Sequence, residues 1–172
     1  MNLSQILKDD WNRLMLISSI DSKFRFYKVL NPRFFSVFLI RLSYFFYIKK
    51  LIFFSKLISL FNFIVFGIEV PLGLKIGPGL VITHTNGIVL GAREIGCNFT
   101  LFHQVTLGAL SADFDNSPEK RPIIEDNVTI YCGAKILGPI KVCHSSTVGA
   151  NAVVINDVRA NSTVIGIPAK EI

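Results

Sequence analysis

The sequence predicts a mainly β fold, a parallel β-helix of six-residue repeats with a helical region at its N-terminal end. Three observations predict it. Aliphatic residues recur every six positions from Val70 onward. Turn-formers such as Gly77, Gly96, Gly133 and Gly149 stand between them. Residues 1–66 carry no such beat and are instead rich in Phe, Leu, Ile and basic side chains.

The N-terminal region comes first. Leu3, Ile6, Leu7, Trp11, Leu14 and Met15 fall at helical spacing with charged residues between them, which predicts one amphipathic helix over residues 3–30. Asn31-Pro32 then breaks the run. From Arg33 to about Phe66 the chain has no internal Gly or Pro, which predicts one or two further helices bent around Lys49-Lys50, with a period too smeared to define a face.

Charge separates the same two regions. Residues 1–66 hold ten Lys/Arg against three Asp, a net of +7, whereas residues 67–172 hold eight against nine, a net of −1. A basic, aromatic segment fits fixed negative charge, and the density of Phe and Leu argues against nucleic acid as its partner. Arg41, Lys49, Lys50 and Lys56 interrupt the apolar run, so no stretch reaches the roughly 18 uncharged residues of a spanning helix. Residues 33–66 are therefore expected either to rest on a membrane surface or to cap the open end of the β-helix. The start of the chain shows no apolar run with a small-residue cleavage site, which predicts a cytoplasmic protein, peripheral on the inner membrane face if residues 33–66 touch it. Cys97, Cys132 and Cys143 are odd in number and lack a metal-type spacing, which fits free thiols in a reducing compartment.

The repeat region follows. The beat runs Val70, Ile76, Ile82, Ile88, then Ile95 after one extra residue, Leu101 and Leu107, and resumes at Ile124, Ile130, Ile136, Val142, Val148 and Val154. A second small or aliphatic residue often follows four places later, as at Leu80, Val105, Val128, Ala134 and Ala152. Two inward positions per six residues describe short flat rungs, three to a triangular coil. The coils read Ile76-Ile82-Ile88, Ile95-Leu101-Leu107, Ile124-Ile130-Ile136 and Val142-Val148-Val154, with residues 109–123 thrown out as a loop.

That register gathers the chemistry. His84 stands two places after Ile82 and His103 two places after Leu101, so both belong to one corner of adjacent coils, about 4.8 Å apart. Cys132 and Ala150 continue the column. Two imidazoles this close are costly to protonate together, which favours a proton acceptor over a paired cation. A base, oxyanion donors and a slot for a long donor are what acyl transfer to a hydroxyl needs.

The segments Ile68-Glu69-Val70, Lys75-Ile76-Gly77, Thr83-His84-Thr85-Asn86-Gly87-Ile88-Val89-Leu90-Gly91 and Val105-Thr106-Leu107-Gly108 resemble the serine acetyltransferases and the related O-acetyltransferases of exopolysaccharide and colanic acid synthesis. The resemblance to these hexapeptide-repeat enzymes covers roughly residues 68–170. It implies a left-handed coil, acetyl-CoA as co-substrate, no metal and a homotrimer. It implies His84 as general base, Glu69 as the carboxylate that orients it, although the family more often has Asp there, and His103 beside them. It also implies acetyl-CoA lying along an intersubunit groove near Gly108, Ala109, Cys132 and Ala150, with Lys170 of the closing Gly166-Ile167-Pro168-Ala169-Lys170 signature near its phosphates.

The acceptor is read from departures. Thr83 stands where serine enzymes usually have Asp, and Lys120-Arg121-Pro122 where they have Arg-His-Pro. His103-Gln104-Val105-Thr106 is closer to the capsular enzymes, and the short Phe-rich N-terminal region differs from the long polar one of bacterial serine acetyltransferases. The expectation is therefore acetylation of a sugar hydroxyl, free or lipid-linked, in polysaccharide biosynthesis. Serine O-acetylation of cysteine biosynthesis stands as the alternative, and a non-enzymatic scaffold as a further one. Nothing in the sequence activates Cys132 as a nucleophile. His144 belongs to another corner, and the three His lack the pair five apart of a zinc hydratase on this fold.

Overall fold

The computed structural model describes residues 2–20, 23–112 and 117–172. Its helices are α1 (Leu3–Ser18), α2 (Pro32–Ile48) and α3 (Ile52–Phe66), with a 3-10 turn at Phe26–Leu30. The strands follow in chain order as β1 (Ile68–Glu69), β2 (Val81–Ile82), β3 (Ile88–Leu90), β4 (Glu94–Ile95), β5 (Thr100–Leu101), β6 (Thr106–Gly108) and β7 (Ile123–Ile124). They continue as β8 (Thr129–Ile130), β9 (Lys135–Leu137), β10 (Lys141–Val142), β11 (Thr147–Val148), β12 (Val153–Val154), β13 (Thr163–Gly166) and β14 (Ala169–Glu171).

Asn2 caps α1 by accepting from Ser4 N at 3.1 Å, and Asn31 caps α2 by accepting from Arg33 N at 3.0 Å. The helix expected over residues 3–30 is shorter. It ends at Ser18 because Ser19 turns left-handed (φ 54°) and its N–H returns to Leu16 and Met15 carbonyls. A short turn at Lys49–Leu51, with Lys50 at φ 60°, folds α3 back on α2.

Three parallel sheets form the walls of a left-handed β-helix, in the orders β1-β3-β6-β9-β12, β10-β7-β4 and β2-β5-β8-β11-β13, the last extended by an antiparallel β14. The inward side chains stack in columns, as in Ile82–Leu101–Ile130–Val148 and Ile95–Ile124–Val142. One column departs from the expected register. Leu90, not Ile88, stands on Leu107, while Ile88 pairs with Ile68. The first coil therefore takes eight places from Ile82 to Leu90 where the next takes six from Leu101 to Leu107, and the extra residues sit in the corner that carries His84.

The helices close the N-terminal end of this stack. Trp11 meets Phe34 edge-on at 5.3 Å, and both join one apolar core with Leu80, Ile82 and Leu101. A buried ion pair fixes the join. Arg41 Nε donates to Asp10 Oδ2 at 2.8 Å and Arg41 Nη1 to the Ile76 carbonyl at 2.6 Å, while Gly79 N and Leu80 N donate to Asp10 Oδ1 at 2.8 Å. Every polar group of the pair thus has a partner, which is the condition for keeping charge out of water.

Candidate active site

The corner after β2 is built by backbone that few residues tolerate. Asn86 (φ 92°) and Gly87 (φ 67°) are both left-handed. Gly67, which ends α3 at φ 62°, sits so close to this corner that a Cβ there would lie 2.8 Å from Asn86 Oδ1. Thr83 N and Oγ1 both donate to the Leu101 carbonyl, at 3.0 and 3.2 Å, and tie the corner to the coil above. His84 is thereby carried outward, exposed to solvent.

The backbone ladder shows what the two extra residues do. Gln104 N donates to Asn86 O at 3.0 Å, Gly133 N to His103 O at 3.0 Å, and Asn151 N to Cys132 O at 2.9 Å. Asn86, not His84, therefore occupies the column of His103 and Cys132. His84 lies beside that column, and its ring meets His103 edge-on, with centroids 5.8 Å apart and planes at 84°. The two imidazoles are brought together, though not as the 4.8 Å stack that a uniform repeat predicts. His103 is half-buried, and its Nδ1 is buried with no hydrogen-bond partner among the described residues.

The other expected residues fall on the surfaces flanking this corner. Cys132 is a half-buried free thiol above His103, and Ala150 is exposed above it. Gly108 ends β6, opposite Leu137, with its carbonyl accepting from Gly138 N at 2.9 Å, and Ala109 follows half-buried. Lys170 pairs opposite Ile165 in the final hairpin, exposed, at the far end of the sheet that starts with β2. Glu69 pairs opposite Val89 and is exposed, and it makes no hydrogen bond to His84. No group of three or more potential metal ligands occurs among the described residues.

Phe102 and Tyr131 belong to no motif that marks them in the sequence. Phe102 stands 6.4 Å from His84, and Tyr131 stacks on it at 4.9 Å and 20°. Each follows an inward residue, Leu101 or Ile130, by one place, so the beat that aligns the core also aligns these rings outside it. In the loop between β6 and β7, the Arg121 guanidinium rests against Gly91, where a Cβ would come within 2.7 Å of Nη1.

No protein-family model matches the chain. Among curated proteins it is 36% identical over 145 residues to the serine acetyltransferase of Helicobacter pylori strain J99, covering 84% of this chain and 83% of that one. The chain belongs to the serine acetyltransferase family. It is also 40% identical over 131 residues to the serine acetyltransferase of Bacillus licheniformis, of whose length it spans 59%. Among solved structures, the Neisseria gonorrhoeae serine acetyltransferase in complex with serine superposes with a TM-score of 0.85 at 25% identity, covering 99% of this chain and 69% of that one. Membership corrects the expected acceptor. At these identities the relatives are serine acetyltransferases and not polysaccharide O-acetyltransferases, so the sugar reading drawn from His103 and the Phe-rich helices is overturned.

Proposed function

We propose that the chain is a serine O-acetyltransferase that moves the acetyl group of acetyl-CoA to the hydroxyl of L-serine, with His84 as general base. The observation that carries the chemistry is an exposed imidazole held edge-on to a second one, 5.8 Å away, on a corner shaped by Asn86 and Gly87. Membership of the serine acetyltransferase family supports L-serine as acceptor and acetyl-CoA as donor. Nothing observed favours the scaffold reading.

In this mechanism a His84 ring nitrogen takes the hydroxyl proton as the serine oxygen attacks the thioester carbonyl. The resulting tetrahedral oxyanion collapses, the C–S bond breaks, and the imidazolium returns the proton to the departing thiolate. His103 is assigned to the acceptor side of the same corner, its ring standing 5.8 Å from that of His84. Glu69 is assigned to orienting His84 once substrate is bound. The pantetheine arm is assigned to the surface running past Gly108, Ala109, Cys132 and Ala150, with Lys170 toward the phosphates. A homotrimer working in the cytoplasm belongs to the same proposal.

The test is release of free thiol from acetyl-CoA with and without L-serine, using the full chain and His84→Ala. Serine-dependent release that vanishes in the variant supports the proposal. Release that ignores serine, or that survives in His84→Ala, rejects it.

A further inference from the structure

We infer that α3 docks the chain on an anionic lipid bilayer, lying in the headgroup region with its outer face among the acyl chains. The inference stands apart from the acetyl-transfer reading. It starts from a helix whose polarity is reversed. The buried residues of α3 are Ser55 and Asn62. With Ser59 and Phe66 they form a stripe at i, i+4, i+7 and i+11 that faces the rest of the chain. The opposite side is apolar and exposed: Phe53 (73%), Leu57 (52%), Leu60 (53%) and Ile64 (70%), flanked by Phe54 and Phe61.

The seam between α2 and α3 has the matching character. Ser43 Oγ donates to the Ser55 carbonyl at 3.0 Å, and Ser55 Oγ to the Ser43 carbonyl at 2.9 Å. Small hydroxyl residues that join helices from within, under an apolar exterior, are the packing that an apolar solvent favours, since it leaves no outward apolar surface to hide. Water favours the reverse arrangement.

Charge selects the kind of surface. Lys49, Lys50 and Lys56 are exposed at the tip of the hairpin and on α3, and no Asp or Glu stands between Asp21 and Glu69. Anionic headgroups neutralise such lysines. A second copy docking through the same face would bring its own lysines to the same seam. Length selects the depth. At about 1.5 Å per residue, 15 residues of helix extend about 22 Å, short of the roughly 30 Å hydrocarbon core. No helix among the described residues is long and apolar enough to cross a membrane, so α3 lies in the interface.

Flotation of the purified full chain with vesicles tests this, comparing phosphatidylcholine alone with phosphatidylcholine mixed with phosphatidylglycerol. The wild type is expected to float with the mixed vesicles. A variant combining Phe53→Gln, Leu57→Gln, Leu60→Gln and Ile64→Gln, all at exposed positions, is expected to stay at the bottom with an unchanged far-UV circular dichroism spectrum. Replacing Lys49, Lys50 and Lys56 by Gln should weaken partition about five-fold per lysine. Equal flotation with uncharged vesicles overturns the inference, as does no flotation at all. A solution mass that falls on the glutamine substitutions, with no vesicle binding, overturns it in favour of a second copy covering the face.

Discussion

At the scale of single residues, the site depends on how far His84 departs from its own repeat. Were the corner six residues like its neighbours, His84 would stand in the column of His103 and Cys132, its ring crowded by the coil above. The extra residues place Asn86 there and leave His84 beside the column, exposed to solvent. His84→Ala should therefore lower kcat about 10²- to 10⁴-fold, the range of a general base, while acetyl-CoA still binds by calorimetry. Glu69→Gln tests the orienting role. It should lower kcat by less than His84→Ala and leave KM for acetyl-CoA alone, because Glu69 lies away from the Cys132–Ala150 surface assigned to the donor. A Glu69→Gln enzyme with wild-type kcat would remove Glu69 from the mechanism.

At the scale of elements, two ties decide how the pieces hold together. The Asp10–Arg41 pair, 0% and 4% exposed, joins α1 and α2 to the first coil. Asp10→Asn leaves the Arg41 charge buried without a counter-charge, and should cost about 3–5 kcal/mol in denaturant unfolding. A loss below about 1 kcal/mol would mean that apolar packing alone holds the helices on. Between coils, Lys141 Nζ approaches Glu125 Oε1 at 2.5 Å and His144 N donates to Glu125 Oε2 at 2.8 Å. The Lys141 hydrogen bond, then the His144 N–H, hold the Glu125 carboxyl below its ordinary value. A folded pKa below the unfolded one means that the tie stabilises above the unfolded value and is lost as pH falls through the folded one. Glu125→Gln should thus lower stability slightly at neutral pH and leave it unchanged in acid, which flattens the acid limb of the stability curve, a small effect because the pair is partly exposed.

The elements also show what the sequence could reveal. The six-residue beat picks out Ile95, Leu101, Ile124, Ile130, Val142 and Val148, all fully or almost fully buried, because one inward side chain per rung must repeat with the rung. It cannot separate Ile88 from Leu90. Both are buried, and only the pairing of β3 with β1 and β6 tells them apart. The proximity of His84 and His103 follows from the beat, whereas their edge-on geometry depends on the corner insertion and does not. The face of α3 stayed unreadable for another reason. Apolar residues fall on nearly every side, and the inward stripe is Ser55, Ser59 and Asn62, so a search for an apolar inner face finds none.

At the scale of the whole molecule, the β-helix is a one-dimensional stack with unlike ends. The N-terminal end is sealed by helices that share its core through Trp11, Phe34 and Val37, while the C-terminal end is closed by the β13–β14 hairpin. In such a stack each coil draws its stability from its neighbours, so a defect should cost most where both sides are occupied. Leu101 is fully buried between Ile82 and Ile130, whereas Val164 has Val148 on one side and the antiparallel β14 on the other. Leu101→Ala should cost about 2–5 kcal/mol and lower the unfolding midpoint of the whole chain. Val164→Ala should cost less and act locally, raising amide exchange in β13 and β14 while exchange in β5 and β8 stays slow. If Val164→Ala instead speeds exchange evenly from β2 to β13, the coils unfold as one cooperative block, and the C-terminal hairpin seals its end as firmly as the helices seal the other.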